Sequence, residues 1–465
     1  MTVKNRPIMI LGCTSDAGKS LVVTAICRLL ANRGIKVAPF KAQNMSNNAA
    51  ITSDGLEMGR AQYLQAIAAK VKPDAMMNPV LLKPSADTKS QVIINGKVNR
   101  EISELPWLGR KQFVWPEVQK SLHKLIETYD QVVIEGAGSP AEINLREGDI
   151  VNMSVALECQ ADVYLVSDID RGGSFAHLLG TWACLSLEEQ KLIKGFVLNK
   201  FRGDAALLGN AMDWLEEKTG IPTVANLPYY RHQLPEEDSF RLGTTWQRGK
   251  INIGIVYYPY ASNMDEFDPL IHQDDINLVP ITKDMDLSHF DALILPGSKN
   301  SGASLEFLTR TGLATTIKSF KASGKLILGI CGGLQILGEQ LFDPLNLEGG
   351  DKQGLGLIAL KTTLQSEKST QQTEINWQGS ILKGYEIHHG ETVTAKDVEL
   401  FMGNNLGWQC DNVYTTYLHG VFENKDFYNW FMRQVGGHEN GLQWTEHLET
   451  ELDALAVMFE EHGWL

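Results

Sequence analysis

Short, wholly apolar runs alternate with longer amphipathic stretches in the first half of the chain. Ile8–Leu11 is such a run, and Gly12–Ser20 after it reads as a loop. Leu21–Asn32 carries helical periodicity, with Gly34 just past its end as a stop signal. Ile35–Phe40, Gln131–Ile134, Val163–Val166 and Phe196–Leu198 are further β-like runs. Uninterrupted apolar strands separated by helices predict a parallel sheet covered on both faces. The pattern breaks over Tyr229–Lys250, which holds Glu236-Glu237-Asp238 and little periodicity. It then restarts with Ile251–Tyr257, Ala292–Leu295 and Lys325–Ile330. A second α/β domain, more strand-like stretches and a helical tail from about Asp426 complete the reading. The expected organisation is residues 1–228, a linker at 229–250, residues 251–435, and a C-terminal helical tail at 436–465. No internal repeat relates the halves.

Composition narrows the class. With 43% hydrophobic and 21% charged residues, 465 residues can bury a core in each domain, which excludes a disordered chain. The net charge of −14 disfavours broad nucleic-acid binding, so no nucleic-acid partner is expected. No apolar run approaches the roughly 18–20 residues of a membrane span. The start of the chain lacks the long apolar region of a signal peptide, so no membrane association is expected. Cysteines at 13, 27, 159, 184, 331 and 410 form no Cys-x-x-Cys pair. This argues against a disulfide framework or a structural zinc site and fits a cytoplasmic protein.

Two segments carry chemistry. The first is Gly12-Cys13-Thr14-Ser15-Asp16-Ala17-Gly18-Lys19-Ser20, between a strand and a helix. That is the setting of a phosphate-binding loop, whose backbone N–H groups and helix N-terminus cradle phosphate. Gly12, Thr14, Ser15, Asp16, Gly18, Lys19 and Ser20 are the expected ATP-binding residues. Lys19 would reach the β- and γ-phosphates, and Ser20 would ligate Mg²⁺. A glycine-rich turn that binds nothing is the bland alternative. The spacing is one residue longer than the usual loop, and Thr14 stands where partition-type ATPases carry a signature lysine. The longer loop resembles dethiobiotin-synthetase-like ATPases, which activate a carboxylate as an acyl phosphate.

Glu135 closes an apolar strand where an acid can meet Mg²⁺, with Asp54 as a second metal candidate. Lys41, after the second strand, could bind phosphate or a substrate carboxylate. Asn199 could read adenine.

The second segment is Lys325-Leu-Ile-Leu-Gly-Ile-Cys331-Gly-Gly-Leu-Gln335. A strand ends in Gly-x-Cys-Gly-Gly and a helix follows, which permits the sharp turn that exposes a nucleophile. The helix start favours the thiolate of Cys331. The Gly332 N–H, with Gly297 N–H from Pro296-Gly297-Ser298, would form an oxyanion hole. A histidine distant in sequence should serve as base. His419 in Thr416-Tyr-Leu-His-Gly420 is the choice, with His388 and His389 as competitors.

Phosphoryl activation and thiol chemistry in one chain are the pairing made by class I glutamine amidotransferases. Nine segments sharpen it. They are Pro39-Phe-Lys-Ala-Gln-Asn-Met-Ser-Asn47, Thr52-Ser-Asp-Gly-Leu-Glu-Met-Gly-Arg-Ala-Gln62, Asn78-Pro-Val-Leu-Leu-Lys-Pro84, Val133-Ile-Glu-Gly-Ala-Gly-Ser-Pro-Ala-Glu142, Ser167-Asp-Ile-Asp-Arg-Gly-Gly173, Asn199-Lys-Phe-Arg-Gly-Asp204, Leu295-Pro-Gly-Ser-Lys-Asn300, Gly384-Tyr-Glu-Ile-His388 and Tyr417-Leu-His-Gly420. Through them the chain resembles, over nearly its whole length, the cobyric acid synthase (CobQ-type) family of ATP-dependent amidotransferases.

The resemblance implies an α/β protein with two parts. An N-terminal P-loop, dethiobiotin-synthetase-like parallel-sheet domain would precede a C-terminal class I glutamine amidotransferase-like α/β domain. It implies amidation of the b, d, e and g side chains of a corrinoid substrate, adenosylcobyrinic acid a,c-diamide. One ATP and one glutamine would be used per amide, with Mg²⁺ as cofactor. The oligomeric state is left open. A cobyrinic acid a,c-diamide synthase is the related alternative, disfavoured by the Gln-Asn-Met-Ser and Gly-Ser-Lys-Asn segments. A regulatory P-loop ATPase with an inert amidotransferase module is the other, disfavoured by Cys331 and Thr14.

The chain also departs from the family pattern. The common triad reads His-x-Glu, whereas position 421 is Val and the next acid is Glu423. The CobQ-like branch lacks the usual third member, which leaves Tyr417 and Glu386 as guesses for what orients His419. Cys13 stands where Thr is more common, and the usual Thr-x-x-Asp-Leu pattern is degraded at Ser301–Leu305.

Overall fold

The computed structural model describes residues 5–86, 89–106, 109–235, 243, 245–395 and 397–462. The acidic part of the expected linker, Glu236-Glu237-Asp238, lies outside them.

The first sheet has six parallel strands, in spatial order Thr223–Pro228, Ile193–Phe201, Asp162–Asp168, Ile8–Gly12, Gln131–Glu135 and Val37–Phe40. Alternation along the central strand sends Met9 and Leu11 into one apolar cluster and Ile10 into another. Both faces are therefore covered, as continuous apolar strands require. Parallel pairing brings all carboxyl ends to one edge. The phosphate-loop segment, Lys41, Glu135, Asp168 and Asn199 gather there, where open α/β sheets bind ligands.

The second sheet runs Ile276–Ile281, Ile251–Val256, Ala292–Leu295, Leu326–Ile330, Val413–Thr416, Gly407–Cys410 and Glu399–Met402. Its first five strands are parallel and its last two antiparallel. Cys331 follows the strand Leu326–Ile330, at the carboxyl edge.

Two features were not expected. A hairpin of Leu360–Trp377 and Ser380–Thr394 reaches from the second unit to the first. There Gln372 Nε2 donates to Ile51 O (3.0 Å) and Thr370 Oγ1 to Gly55 O (2.9 Å). The terminal helix, Trp444–Glu461, does not pack on the second sheet that precedes it. It lies on the helix Lys19–Asn32 and places Trp444, Leu448, Leu452, Leu455, Met458 and Phe459 in the first unit's core. Buried Arg28 fixes it, bonding Glu449 at 2.6 Å and Asp453 at 2.7 Å. Among the described residues no helix is long and apolar enough to cross a membrane.

Candidate active sites

The loop after Ile8–Gly12 borders a cleft of about 650 Å³. Ser15, Asp16, Gly18, Lys19, Ser20, Lys41 and Glu135 line it, with Met45, Leu64 and Leu234 as apolar wall. Gly18 adopts φ 93°, and a side chain there would overlap the Asn199 amide. A Cβ at Gly12 would come within 2.7 Å of Thr14 O and 2.9 Å of Lys19 Nζ. Both glycines are thus demanded by the turn and by close approach. Lys19 Nζ donates to Thr14 O (3.4 Å) and Gly138 O (3.2 Å), so it lies folded along the loop.

Glu135 is buried, and its carboxylate gathers three donors. Ser20 Oγ donates to Oε1 at 2.9 Å, Lys41 Nζ pairs with the same oxygen at 2.9 Å, and Gln65 Nε2 donates to Oε2 at 2.5 Å. Burial alone would push this carboxyl up, but the Lys41 charge and these donors hold it below its usual range. Glu135 is therefore an ionised carboxylate beside a hydroxyl. That hard-oxygen set suits Mg²⁺, which takes one or two protein ligands and leaves the rest to phosphate and water.

Two sequence expectations are corrected here. Asp54 does not reach the loop; it sits exposed in the turn between Ala49–Ile51 and Glu57–Gly59, 3.6 Å from Lys72. Strand alternation turns the neighbouring acid, Glu57, inward instead. Asn199 is not open to a base. Its Nδ2 donates to Ala17 O (2.9 Å) and its Oδ1 accepts from Lys200 N (2.9 Å), so its amide fixes the loop. Lys200 and Arg171, to which the sequence reading gave no role of their own, border the cleft as cations. Lys200 Nζ bonds Asp16 O at 2.8 Å and Asp168 Oδ2 at 2.9 Å.

Cys331 occupies a strained backbone, φ 51° and ψ −104°. For a residue with a Cβ this costs about 1–3 kcal/mol and marks a nucleophile elbow. The small neighbours make the turn possible. A Cβ on Gly332 would sit 2.5 Å from Ser298 N, and one on Gly329 2.5 Å from Leu337 Cδ1. Cys331 Sγ lies 3.7 Å from Ile387 O.

His419 and Cys331 line one cavity, and the sulfur is close enough to favour the charged imidazolium. Its ring stacks on Tyr385 at 5.2 Å, and its main-chain N–H donates to Tyr385 O (2.9 Å). Gly297 packs beside the ring, where a Cβ would come within 3.1 Å of Cε1.

What orients His419 is Glu266, which the sequence reading missed. His419 Nδ1 lies 3.1 Å from Glu266 Oε1, and Gly420 N donates to Oε2 at 3.2 Å. Both side chains are almost fully buried, 1% and 2% exposed. Burial opposes the imidazolium, but Glu266 and the Cys331 sulfur outweigh it and raise the ring pKa to about 10. The two guesses are engaged elsewhere. Tyr417 shares a 2.6 Å hydrogen bond with Thr392. Glu386 accepts from Gln371 (2.8 Å) and Thr373 (2.6 Å) and lies 3.4 Å from His388 Nε2. His388 also contacts Gly390 O at 2.9 Å and stacks on Tyr417, so it is not the ring beside the thiol. The signal for Glu266 was thin: Met264-Asp-Glu-Phe267, an acidic pair between apolar residues.

The two sites share a wall. Glu57 of the first unit pairs with Lys83 and with Lys368 (2.7 Å) of the second. Arg60 pairs with Asp265 (2.6 Å) and Glu423 (2.8 Å), next to Glu266 and near His419. Arg60 begins the helix Arg60–Ala68, and Gln65 of that helix contacts Glu135. One helix therefore touches both sites.

Comparison with known proteins agrees with this division. The family model "CobQ/CobB/MinD/ParA nucleotide binding domain" matches residues 8–241. The "CobB/CobQ-like glutamine amidotransferase domain" matches residues 252–427. The chain is 49% identical to a cobyric acid synthase of Deinococcus radiodurans, covering 97% of this chain and 98% of the relative. It is 46% identical to one of Polaromonas sp. (90% of each) and 46% identical to one of Albidiferax ferrireducens (98% and 97%).

Proposed function

The chain belongs to the cobyric acid synthase family, and from that premise we propose that it converts the b, d, e and g carboxylates of adenosylcobyrinic acid a,c-diamide to amides. It is an ATP-dependent amidating enzyme of cobalamin biosynthesis with a glutamine amidotransferase domain. The observation that carries the finer reading is the Cys331–His419–Glu266 constellation in a chain that also holds the loop ending in Lys19-Ser20.

In the second unit, the Cys331 thiolate attacks the side-chain amide carbon of glutamine. The Gly332 and Gly297 N–H groups face the developing oxyanion. The His419 imidazolium gives its proton to the departing nitrogen, which leaves as ammonia, and a γ-glutamyl thioester remains. Water then releases glutamate. The neutral His419 ring takes a proton from that water, and Glu266 keeps the ring oriented and stabilises it whenever it is charged.

In the first unit, a substrate carboxylate oxygen attacks the γ-phosphorus of ATP. An acyl phosphate forms and ADP departs. Lys19 offsets charge on the transferred phosphoryl group, with Arg171 and Lys200 at the cleft edge. Ser20 and Glu135 would hold Mg²⁺, which neutralises phosphate charge when bound. Ammonia attacks the acyl carbon, phosphate leaves, and the amide is formed.

The test is mass spectrometry of adenosylcobyrinic acid a,c-diamide incubated with enzyme, ATP and glutamine. Each conversion exchanges OH for NH₂, and four successive decrements that need both co-substrates support the reading. An unchanged substrate, with glutamine and ATP still hydrolysed, would discard the corrinoid and keep the amidotransferase.

A further inference from the structure

The cavity over Cys331 holds more charge than thiol chemistry uses. Lys83, Lys299, Lys368 and Glu348 line it together with Cys331 and His419. Lys83 and Lys368 are both spent on Glu57. Lys299 and Glu348 are not spent. Among the described residues, the Lys299 ammonium makes no ion pair or hydrogen bond, and only its main-chain N–H is engaged, at Tyr260 O (2.8 Å). Glu348 accepts Ser301 N (2.6 Å) and Gly302 N (3.3 Å) with Oε2 alone, at the start of the helix Ser301–Arg310. These bonds fix the carboxylate and leave Oε1 without a hydrogen-bond partner among the described residues.

The two charges influence one another, yet no ion pair closes between them. Burial lowers Lys299 to about 8 and raises Glu348, so each lacks countercharge. A cation and an anion, held apart at the edge of a nucleophile's cavity, complement a zwitterion whose side chain points to the sulfur.

We propose that Lys299 binds the α-carboxylate of glutamine and Glu348 its α-ammonium, so that these two residues select a free L-amino acid as nitrogen donor. The assignment rests on the glutaminase reading above. A short neutral amide such as acetamide offers neither charge. A glutamine within a peptide lacks both, and its passage past the Lys83–Glu57–Lys368 wall would leave Lys299 and Glu348 uncompensated. Selection through unpaired, partly buried charge is steep, because the wrong ligand leaves the site's own groups unsatisfied.

The experiment compares ammonia release from L-glutamine, L-glutaminamide and glutaramate. Glutaminamide lacks the α-carboxylate and glutaramate lacks the α-amine. In the full-length enzyme both analogues should be poorer than glutamine. Lys299→Met should lower kcat/KM for glutamine about 10- to 100-fold, mostly through KM, and the preference over glutaminamide should collapse by the same factor. Glu348→Gln should erase the preference over glutaramate and leave that over glutaminamide. Lys299→Gln serves where Lys299→Met does not yield folded protein. Equal losses on glutamine and glutaminamide, or no loss on either, would overturn the assignment. If the unaltered enzyme released no ammonia from glutamine, the glutaminase reading itself would fail, a result visible before any variant is made.

Discussion

Glu266 and His419 meet at 3.1 Å across 153 positions of sequence, the carboxylate in a short turn after one strand and the imidazole after another. This restores a three-member relay in a chain whose motif lacks the expected acid beside the histidine. Glu266→Gln keeps the shape and removes the charge. Glutaminase turnover should fall about 10²- to 10⁴-fold, the range for losing the partner that orients a catalytic histidine.

The pH dependence follows with a definite sign. Against burial, Glu266 together with the Cys331 sulfur holds His419 protonated up to about 10 rather than 6.5. The alkaline limb of glutaminase activity should lie near that value in the parent enzyme. It should move down toward the ordinary imidazole range in Glu266→Gln. For stability, the folded-state pKa is raised. The pair's contribution is therefore fully present below about 6.5 and lost as pH rises through about 10. Denaturation at pH 6 and pH 10 should show a wider gap between parent and variant at pH 6. An alkaline limb that stays put would refute the charge role of Glu266.

Arg60 is largely enclosed where the units meet, and of its carboxylate partners Asp265 is buried while Glu423 is partly exposed. Removing it leaves Asp265 and Glu423 without their cation. Arg60→Ala should cost about 3–5 kcal/mol, as for a broken buried pair. Because Asp265 adjoins Glu266, glutamine-driven synthesis should fall further than synthesis driven by added ammonium chloride. Chemical denaturation gives the first quantity, and amide formed from each nitrogen source gives the second. Equal losses would confine Arg60 to holding the fold.

Much of this molecule was legible in one dimension, for physical reasons. Strands buried on both faces must be apolar at every position, so Ile8–Leu11, Gln131–Ile134 and Ala292–Leu295 stood out. Tight turns need glycine, so Gly12, Gly18 and the Gly332-Gly333 pair disclosed both loops. The hairpin 360–394 did not stand out because its outer half is polar; Gln365-Ser-Glu-Lys-Ser-Thr-Gln-Gln372 faces water or the partner unit instead of a core. Glu266 was illegible because its partner is distant and its own segment has no periodicity. Asp54 and Glu57 are three positions apart, and only the strand's inward face decides which acid is buried. Asn199 was read as an adenine contact, but a fixed amide and a free one look alike in sequence.

Separating the two chemistries is direct. Cys331→Ser should abolish amide formation from glutamine, to below about 1% of the parent rate, because the hydroxyl is a far weaker nucleophile here. Synthesis from ammonium chloride should persist. Lys19→Ala should suppress synthesis from both nitrogen sources by about 10²-fold or more, because the transferred phosphoryl group loses its cation. Should Cys331→Ser lose ammonia-driven synthesis while folded, the division into two sites would be wrong.

The terminal helix makes the last prediction. Trp444–Glu461 follows the second unit in sequence but completes the core of the first, so the chain's end closes over the helix that carries Lys19 and Ser20. Leu452 and Leu455 are fully buried, and both belong to the cluster that holds Val22 and Ile26. Leu455→Ala should cost about 2–5 kcal/mol, the range for a core leucine whose cavity cannot fully collapse. The loss should register in the first unit. Protection of its amides against hydrogen exchange should drop, and so should the affinity for ATP, while glutamine hydrolysis falls less. Arg28→Met should weaken the same contact by unpairing Glu449 and Asp453, but by less than the leucine, since both acids are at least 42% exposed and rehydrate readily. If exchange in the second unit rose instead, the helix would belong to the unit that precedes it, and the packing described above would be wrong.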